Sequence, residues 1–269
     1  MHMPKRVSHL WEKVCTYENC LRASTDVEVN HNGATALRNP LSQQKIERRA
    51  QNVLKVLQDF SWKPMKFRVK EIREGNKRKV RRLRIPSQFD QAVHRAILNI
   101  LEVEILKRNY YYNCGSIPKA GQIRAHRGIK RYLSKGHYKY AFQWDISKFY
   151  DNITHKSILD SFKRFIKDPN MLRGISMILE SMLSQEELLR PFFERTLLAI
   201  GFNPSHWFAN VVVNRVLQTA INNSKNMKFI QYMDDGLVLS NNKRKLHRVG
   251  DKIQNILCSL ELKIKENYQ

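Results

Sequence analysis

The chain has 269 residues, 42% of them apolar, which is enough to build a sizeable core in one large domain or two lobes and excludes a disordered tail. Its 48 Lys and Arg against 24 Asp and Glu leave a formal charge of +24, a balance that favours polyanionic partners through counterion release. No run of about 18 apolar residues occurs, and Met1-His2-Met3-Pro4-Lys5-Arg6 leads into no apolar signal segment, so the expectation is a cytoplasmic protein with no membrane partner.

Taken in chain order, residues 8–23 and 42–58 place Leu10, Val14, Tyr17 and Leu21, then Ile46, Ala50, Val53, Leu54 and Leu57, at helical spacing and predict two surface helices. The polar stretch Ser24 to Ser42, with Asn30-His31-Asn32-Gly33 as a turn signal, is predicted to be a loop. Phe67 to Ile72 and Val80 to Pro86 flank Glu74-Gly75-Asn76 and read as a basic hairpin. Helices are predicted over 88–107 and 123–133. Cys15, Cys20, Cys114 and Cys258 form no CxxC pair and have no His at zinc-ligand spacing, so they read as reduced structural thiols.

From Tyr138 onward the pattern predicts a strand over 140–146 and helices over 155–166, 171–182 and 205–221. A hairpin of 229–233 and 237–240 follows, then a helix over 245–259 and a terminal strand over 260–264. Without the extra helices this is β-α-β-β-α-β, an α+β, ferredoxin-like arrangement with helices on one face of an antiparallel sheet. Tyr232-Met233-Asp234-Asp235 puts two adjacent acids at the tip of an apolar hairpin, although Asp235-Gly236 alone would also suit an ordinary type I′ turn. Asp145 ends the strand Phe142-Gln143-Trp144; a strand-end acid is commonly a cap, but here the inferred sheet would bring it beside the hairpin acids. Three converging carboxylates repel one another unless cations neutralise them, and oxygen ligands suit Mg²⁺. Two such ions can activate a 3′-hydroxyl and stabilise leaving pyrophosphate.

Asp145-x-x-x-x-Tyr150, Gly201-x-x-x-Ser205 and Tyr232-Met233-Asp234-Asp235, in this order, resemble motifs A, B and C of reverse transcriptases. Val80 to Ile97 and Tyr112-Asn113-Cys114-Gly115 to Leu133 resemble the family's two fingers blocks. Thr16-Tyr17-Glu18-Asn19 and Phe208-Ala209-Asn210-Val211 are similar to bacterial retron-like, prophage and diversity-generating-retroelement members. The resemblance implies a polymerase right-hand fold, with N-terminal helices and fingers over 1–137 and a palm over 138–269, the two able to interleave. It also implies an RNA-directed DNA polymerase that takes an RNA template, a DNA or RNA primer and deoxynucleoside triphosphates.

What it implies residue by residue is as follows. Asp145, Asp234, Asp235 and the Ile146 carbonyl hold two Mg²⁺ ions, with Mn²⁺ as a substitute. Tyr150 is the ring that blocks a 2′-hydroxyl, and a core aromatic beside Phe149 is its plainer reading. Gly201 allows close backbone approach to the template and nascent base pair, and Ser205 caps the following helix. His206 stands where the family usually has Gln and departs from the pattern. The basic run Lys77, Arg78, Lys79, Arg81, Arg82 and Arg84 resembles the segment that grips triphosphate. Arg82 and Arg84 are the choices because alternation puts them on one strand face, and the rest reads as a solvated face. Leu260-Glu261-Leu262-Lys263-Ile264-Lys265 resembles motif D, whose lysine protonates pyrophosphate; Lys263 fits, with Lys265 as the same-face alternative. The chain stops at Gln269, directly after motif D. The expectation is therefore a thumb that is absent or truncated, or a clamp supplied by an accessory protein. Untemplated or protein-primed synthesis in phage defence and a non-catalytic RNA-binding scaffold are the alternative readings.

Overall fold

The computed structural model describes residues 6–73, 80–134, 136, 138–222, 224 and 226–265. In chain order the elements are α1 (Trp11–Val14), α2 (Tyr17–Asn32), a 3₁₀ turn (Ala34–Arg38), α3 (Pro40–Gln58), β1 (Arg68–Arg73), β2 (Val80–Ile85), α4 (Gln88–Arg108) and α5 (Gly121–Leu133). Then come β3 (Tyr140–Asp145), α6 (Phe149–Asn152), α7 (His155–Lys163), α8 (Pro169–Ser181), α9 (Gln185–Leu188), a 3₁₀ turn (Phe192–Glu194), α10 (Asn203–Ile221), β4 (Lys228–Tyr232), β5 (Asp235–Ser240) and α11 (Lys243–Cys258). The class is α+β, as expected. The chain divides into two compact units: Met1–Lys107 with Phe162–Phe192 and Leu198–Ser205, and Arg108–Ser161 with Phe193–Leu197 and His206–Gln269.

In the first unit the predicted loop after Ser24 is instead the second half of α2. Thr16 caps the helix, its hydroxyl accepting from the Asn19 amide at 3.3 Å, and the helix runs on to Gly33, where a φ of 76° ends it. What holds the polar half helical is a partner from α3. Arg49 donates to the buried Glu28 carboxylate at 3.0 Å and to the Ser24 carbonyl at 3.2 Å, so polar residues face inward with their hydrogen bonds made. β1 and β2 pair antiparallel, Arg68 opposite Ile85 and Arg73 opposite Val80. The turn between them, with Lys77, Arg78 and Lys79, lies outside the described residues.

In the second unit the sheet order is β3-β5-β4, all antiparallel. The predicted fourth strand, 260–264, is reduced to one bridge between Ile264 and Ile146 on the outer edge of β3, because Leu260 and Glu261 are still in the turn that closes α11. On the other edge, Asn113 bridges Gln231 of β4. α5 packs through Ala125, Ile129 and Tyr132 on a cluster of Tyr112, Cys114 and Ile230. The thiols divide: Cys20 and Cys114 are buried and unpaired, whereas Cys258 is exposed and serves no core. Among the described residues no helix is long and apolar enough to cross a membrane.

Candidate active site

The acids are placed by strand register. Asp145, the last residue of β3, lies directly opposite Asp235, the first of β5, and Trp144 lies opposite Gly236. A side chain at Gly236 would start 2.0 Å from the Trp144 indole, so glycine is what lets that ring cross the sheet. Tyr232 pairs with Asp235, which leaves Met233 and Asp234 as the hairpin turn, with Met233 at a φ of 54°. The ordinary Asp-Gly turn considered from the sequence is thus not formed: Asp235 and Gly236 are strand residues, and the turn sits two residues earlier. Asp234 and Asp145 are tied through the backbone as well, the Ile146 amide donating to the Asp234 carbonyl at 3.3 Å.

Asp145 is 6% exposed, and a buried carboxylate needs a positive neighbour. Lys265 provides it: its Nζ donates to Asp145 Oδ2, and its amide donates to the Asp145 carbonyl at 2.9 Å. Burial pushes the Asp234 carboxyl above its ordinary value; its own amide opposes this, the charge of Asp145 adds to it, and Lys265 opposes it. Asp235 is raised for the same reasons, burial first and then Asp145 and Asp234. The three acids therefore feel one another as like charges. Among the described residues no group of three or more His, Cys, Asp or Glu side chains stands arranged to hold a metal ion. The donor chemistry, all carboxylate oxygen, fits a hard cation. The Lys265 ammonium now occupies Asp145 in that role, and a cation would have to displace it.

Two neighbours complete the site. Tyr150, in α6, is half-buried, and burial and the adjacent Asp234 charge both push its hydroxyl well above the usual phenol range. Phe149 beside it is the core aromatic, 2% exposed. Ile146 is buried in its bridge to Ile264, and Lys263 is exposed, contributing its carbonyl to the Ser147 amide at 2.8 Å.

Sequence reading missed the support beneath the turn. Asn210, Asn214 and Gln218 recur at helical spacing along α10 and hold the segment that precedes α5. Asn210 Nδ2 donates to the Gly115 carbonyl at 2.7 Å, Asn214 Oδ1 accepts from the Tyr110 amide at 2.8 Å, and Gln218 Nε2 donates to the Arg108 carbonyl at 2.8 Å. A Cβ on Gly115 would lie 2.3 Å from the Met233 amide nitrogen, so this loop rests directly on the turn. Gln231 then links both sides, accepting at its carbonyl from the Cys114 amide at 2.8 Å and donating Nε2 to the Met233 carbonyl at 2.8 Å. The available signal was the four-residue spacing of amides on a helix otherwise rich in apolar residues.

Other predicted site residues belong to the first unit, where their partners are internal. Arg84 donates to both Glu187 carboxylate oxygens at 2.6 and 2.7 Å and to the Met182 carbonyl at 2.6 Å, and its guanidinium lies 4.8 Å from the Phe67 ring centre. Those bonds, with burial opposing, bring the Glu187 carboxyl down to about 2. Arg82, two residues away on the same strand but in the exposed half of β2, is paired with Glu71 at 3.1 Å. Gly201 has a φ of 105°, and a Cβ there would lie 2.4 Å from the Arg84 carbonyl, so its close approach is to β2. Ser205 is not the helix cap expected: α10 already begins at Asn203, and the buried Ser205 hydroxyl donates back to the Ala199 carbonyl at 2.7 Å. His206, in the second unit, is half-buried against the Trp207 ring.

An α+β chain whose sheet sets a strand-end acid opposite the acids of a hairpin turn has the architecture of a nucleic-acid polymerase palm. The family model described as reverse transcriptase (RNA-dependent DNA polymerase) matches residues 70–267, and the chain belongs to that family. Solved structures with the same fold include telomerase from Candida albicans in complex with a TWJ fragment of telomeric RNA (TM-score 0.53, 11% identity, 78% of this chain and 43% of that one). Another is apo telomerase from Candida tropicalis truncated from its C-terminal domain (TM-score 0.53, 13% identity, 80% of this chain and 53% of that one). The chain spans about half the length of these structures. No curated protein sequence matches it.

Proposed function

We propose that this chain is an RNA-directed DNA polymerase whose catalytic acids are Asp145, Asp234 and Asp235. The observation that carries the reading is the register itself, Asp145 facing Asp235 with Asp234 in the adjoining turn, on a protein of charge +24. A pure binding scaffold for a polyanion gains nothing from three clustered acids. The proposed bounds, fingers over 1–137 and palm over 138–269, differ from the two compact units: the second unit holds the three acids and takes in the segment from Arg108, whereas Phe162–Phe192 and Leu198–Ser205 group with the first unit and its β1–β2 hairpin. The retron-like, prophage or diversity-generating subgroup is supported by Thr16 to Asn19 and Phe208 to Val211.

Mg²⁺ held by the three acids and the Ile146 carbonyl, with Mn²⁺ as a substitute, would supply Lewis acidity toward a primer 3′-hydroxyl and a leaving pyrophosphate. The protein's own groups do the rest. Tyr150, beside Asp234, presents a ring that excludes a 2′-hydroxyl and so selects deoxynucleotides. Of the two candidate lysines, Lys265 is the one whose ammonium reaches the acids, and it is placed to deliver a proton to the departing phosphate; Lys263 acts through its backbone. Arg82, exposed on β2, is the better placed of the two arginines to meet a triphosphate, because its pair with Glu71 is solvent-exposed and weak, whereas Arg84 would have to leave a half-buried, two-bond pair with Glu187. The substrates are then an RNA template, a primer and deoxynucleoside triphosphates.

The test is single-nucleotide addition to a primer annealed to RNA, with Mg²⁺ and with chelator. Wild-type protein should extend only with the metal. Asp145→Asn should lose more than about a hundredfold, beyond what outer-shell partners of a metal site cost. Retained addition by Asp145→Asn at an unchanged melting temperature would refute the assignment.

A further inference from the structure

Between Glu104 and Asp145 the chain has 40 consecutive residues with no acid and nine Lys or Arg. The other long acid-free stretch, 195–233, carries only four Lys or Arg, so the excess of positive charge is particular to 105–144, and α5 lies at its centre. The inner face of α5 is committed: Ala125 and Gly128 are buried, and a Cβ on Gly128 would lie 2.6 Å from the Tyr112 ring. The helix is therefore seated on the sheet with its opposite face turned to solvent. Arg127, Lys130 and Arg131 are exposed there, and Ile123 is 67% exposed. At the start of the helix stands Tyr111, 61% exposed, with the Arg124 guanidinium 4.6 Å from its ring centre. Arg124 is itself fixed by donation to the Lys119 carbonyl at 3.0 Å.

We propose that Tyr111 and the outer face of α5 form a platform for single-stranded nucleic acid. Tyr111 offers a flat π-face, already held by a cation, on which an unpaired base can stack, and duplex bases present no such free face along their length. Arg124, Arg127 and Arg131 follow one edge of the helix on successive turns, about 5 Å apart along its axis, so they can meet successive phosphates of one strand. An anionic membrane is the poorer fit, because Ala125, Ile129 and Tyr132 of α5 are packed on the sheet and its exposed apolar residues, Ile123 and Leu133, stand at opposite ends of the helix, too few to enter lipid as a face. The platform does not depend on catalysis, so it can fail while the polymerase reading stands.

The experiment is fluorescence anisotropy of the full chain with a labelled single-stranded oligoribonucleotide and, separately, a blunt duplex of the same sequence, at several salt concentrations. Tyr111→Ala should weaken single-strand binding about tenfold and leave the blunt duplex unchanged. Tyr111→Phe should bind as wild type. The combined variant Arg127→Ser, Lys130→Ser and Arg131→Ser should lower the salt slope for the single strand by about 2. All these side chains are solvent-facing, and melting temperatures should stay at the wild-type value. Asp145→Asn should bind the strand undiminished. Unchanged affinity in Tyr111→Ala, equal losses on strand and duplex, loss in Tyr111→Phe, or dependence on Asp145 would each overturn the proposal. So would capture of anionic phosphatidylserine vesicles by this face with no effect of the variants on oligonucleotide binding.

Discussion

Single atoms decide most of the candidate site. Tyr150 sits where its ring, rather than its hydroxyl, is the useful part, since burial and Asp234 keep the phenol protonated. Tyr150→Ala should therefore raise ribonucleotide incorporation relative to deoxyribonucleotide by tenfold or more, a difference of about 1.4 kcal/mol between transition states, while Tyr150→Phe should leave sugar choice unchanged. Competitive incorporation of matched ribo- and deoxyribonucleotides measures this, and an unchanged ratio in the alanine variant would make Tyr150 a packing residue. Gly115 is the counterpart beneath the turn. Its missing side chain is what lets the loop touch the Met233 amide, and Gly115→Ala must push a methyl group against the Met233 backbone nitrogen. The expected cost is about 1–3 kcal/mol of stability, as for overpacking elsewhere, together with a fall in kcat larger than any change in KM. A variant that lost stability but kept full kcat would show that the turn tolerates displacement.

Elements differ in how far their sequence announces them. α4 and α10 were legible because long runs rich in apolar residues continue over many turns with no breaker, and both helices are buried on more than one side. The carboxylates were legible because three short motifs fell in order within strand and helix context. α2 was read too short, since its second half buries Ser24 and Glu28 and depends on Arg49 from α3, a partner no local pattern reveals. The plainer reading of the β4–β5 turn falls two residues late for a related reason: Asp235-Gly236 has the composition of a turn, but the Trp144 ring claims Gly236 as a strand residue. Ser205 was read as a helix cap, whereas its hydroxyl donates to the Ala199 carbonyl, and the close approach read for Gly201 is, within its own unit, to the Arg84 carbonyl. The same β2 contact predicts a pH dependence. Arg84 lowers the Glu187 carboxyl from its ordinary value to about 2, so the pair stabilises the fold above the unfolded acid's range. That contribution is lost as pH falls from about 4.5 toward 2. Glu187→Gln should lower stability at neutral pH by about 2 kcal/mol and make it less sensitive to pH across that window. Parallel melting curves for both proteins across that window would contradict the role given to this pair.

At the scale of the whole molecule, two features pull in opposite directions, and the proposed polymerase function reconciles them. The surface is strongly basic, yet the second unit gathers three acids and keeps Asp145 almost wholly buried. Basic charge attracts a nucleic acid, and the acids, otherwise a local cost, become useful when a cation and a triphosphate enter together. Lys265 offsets part of that cost by neutralising Asp145. The family match covers residues 70–267, and the helices before it add buried contacts such as Arg49 with Glu28 that no motif describes. The most direct test is extension of a primer on a heteropolymeric RNA template, followed by sequencing of the product, for wild-type protein and Asp234→Asn. The account predicts a DNA product complementary to the RNA, formed only with divalent metal and absent in Asp234→Asn. A product whose sequence ignores the template, or one that persists in Asp234→Asn, would contradict it.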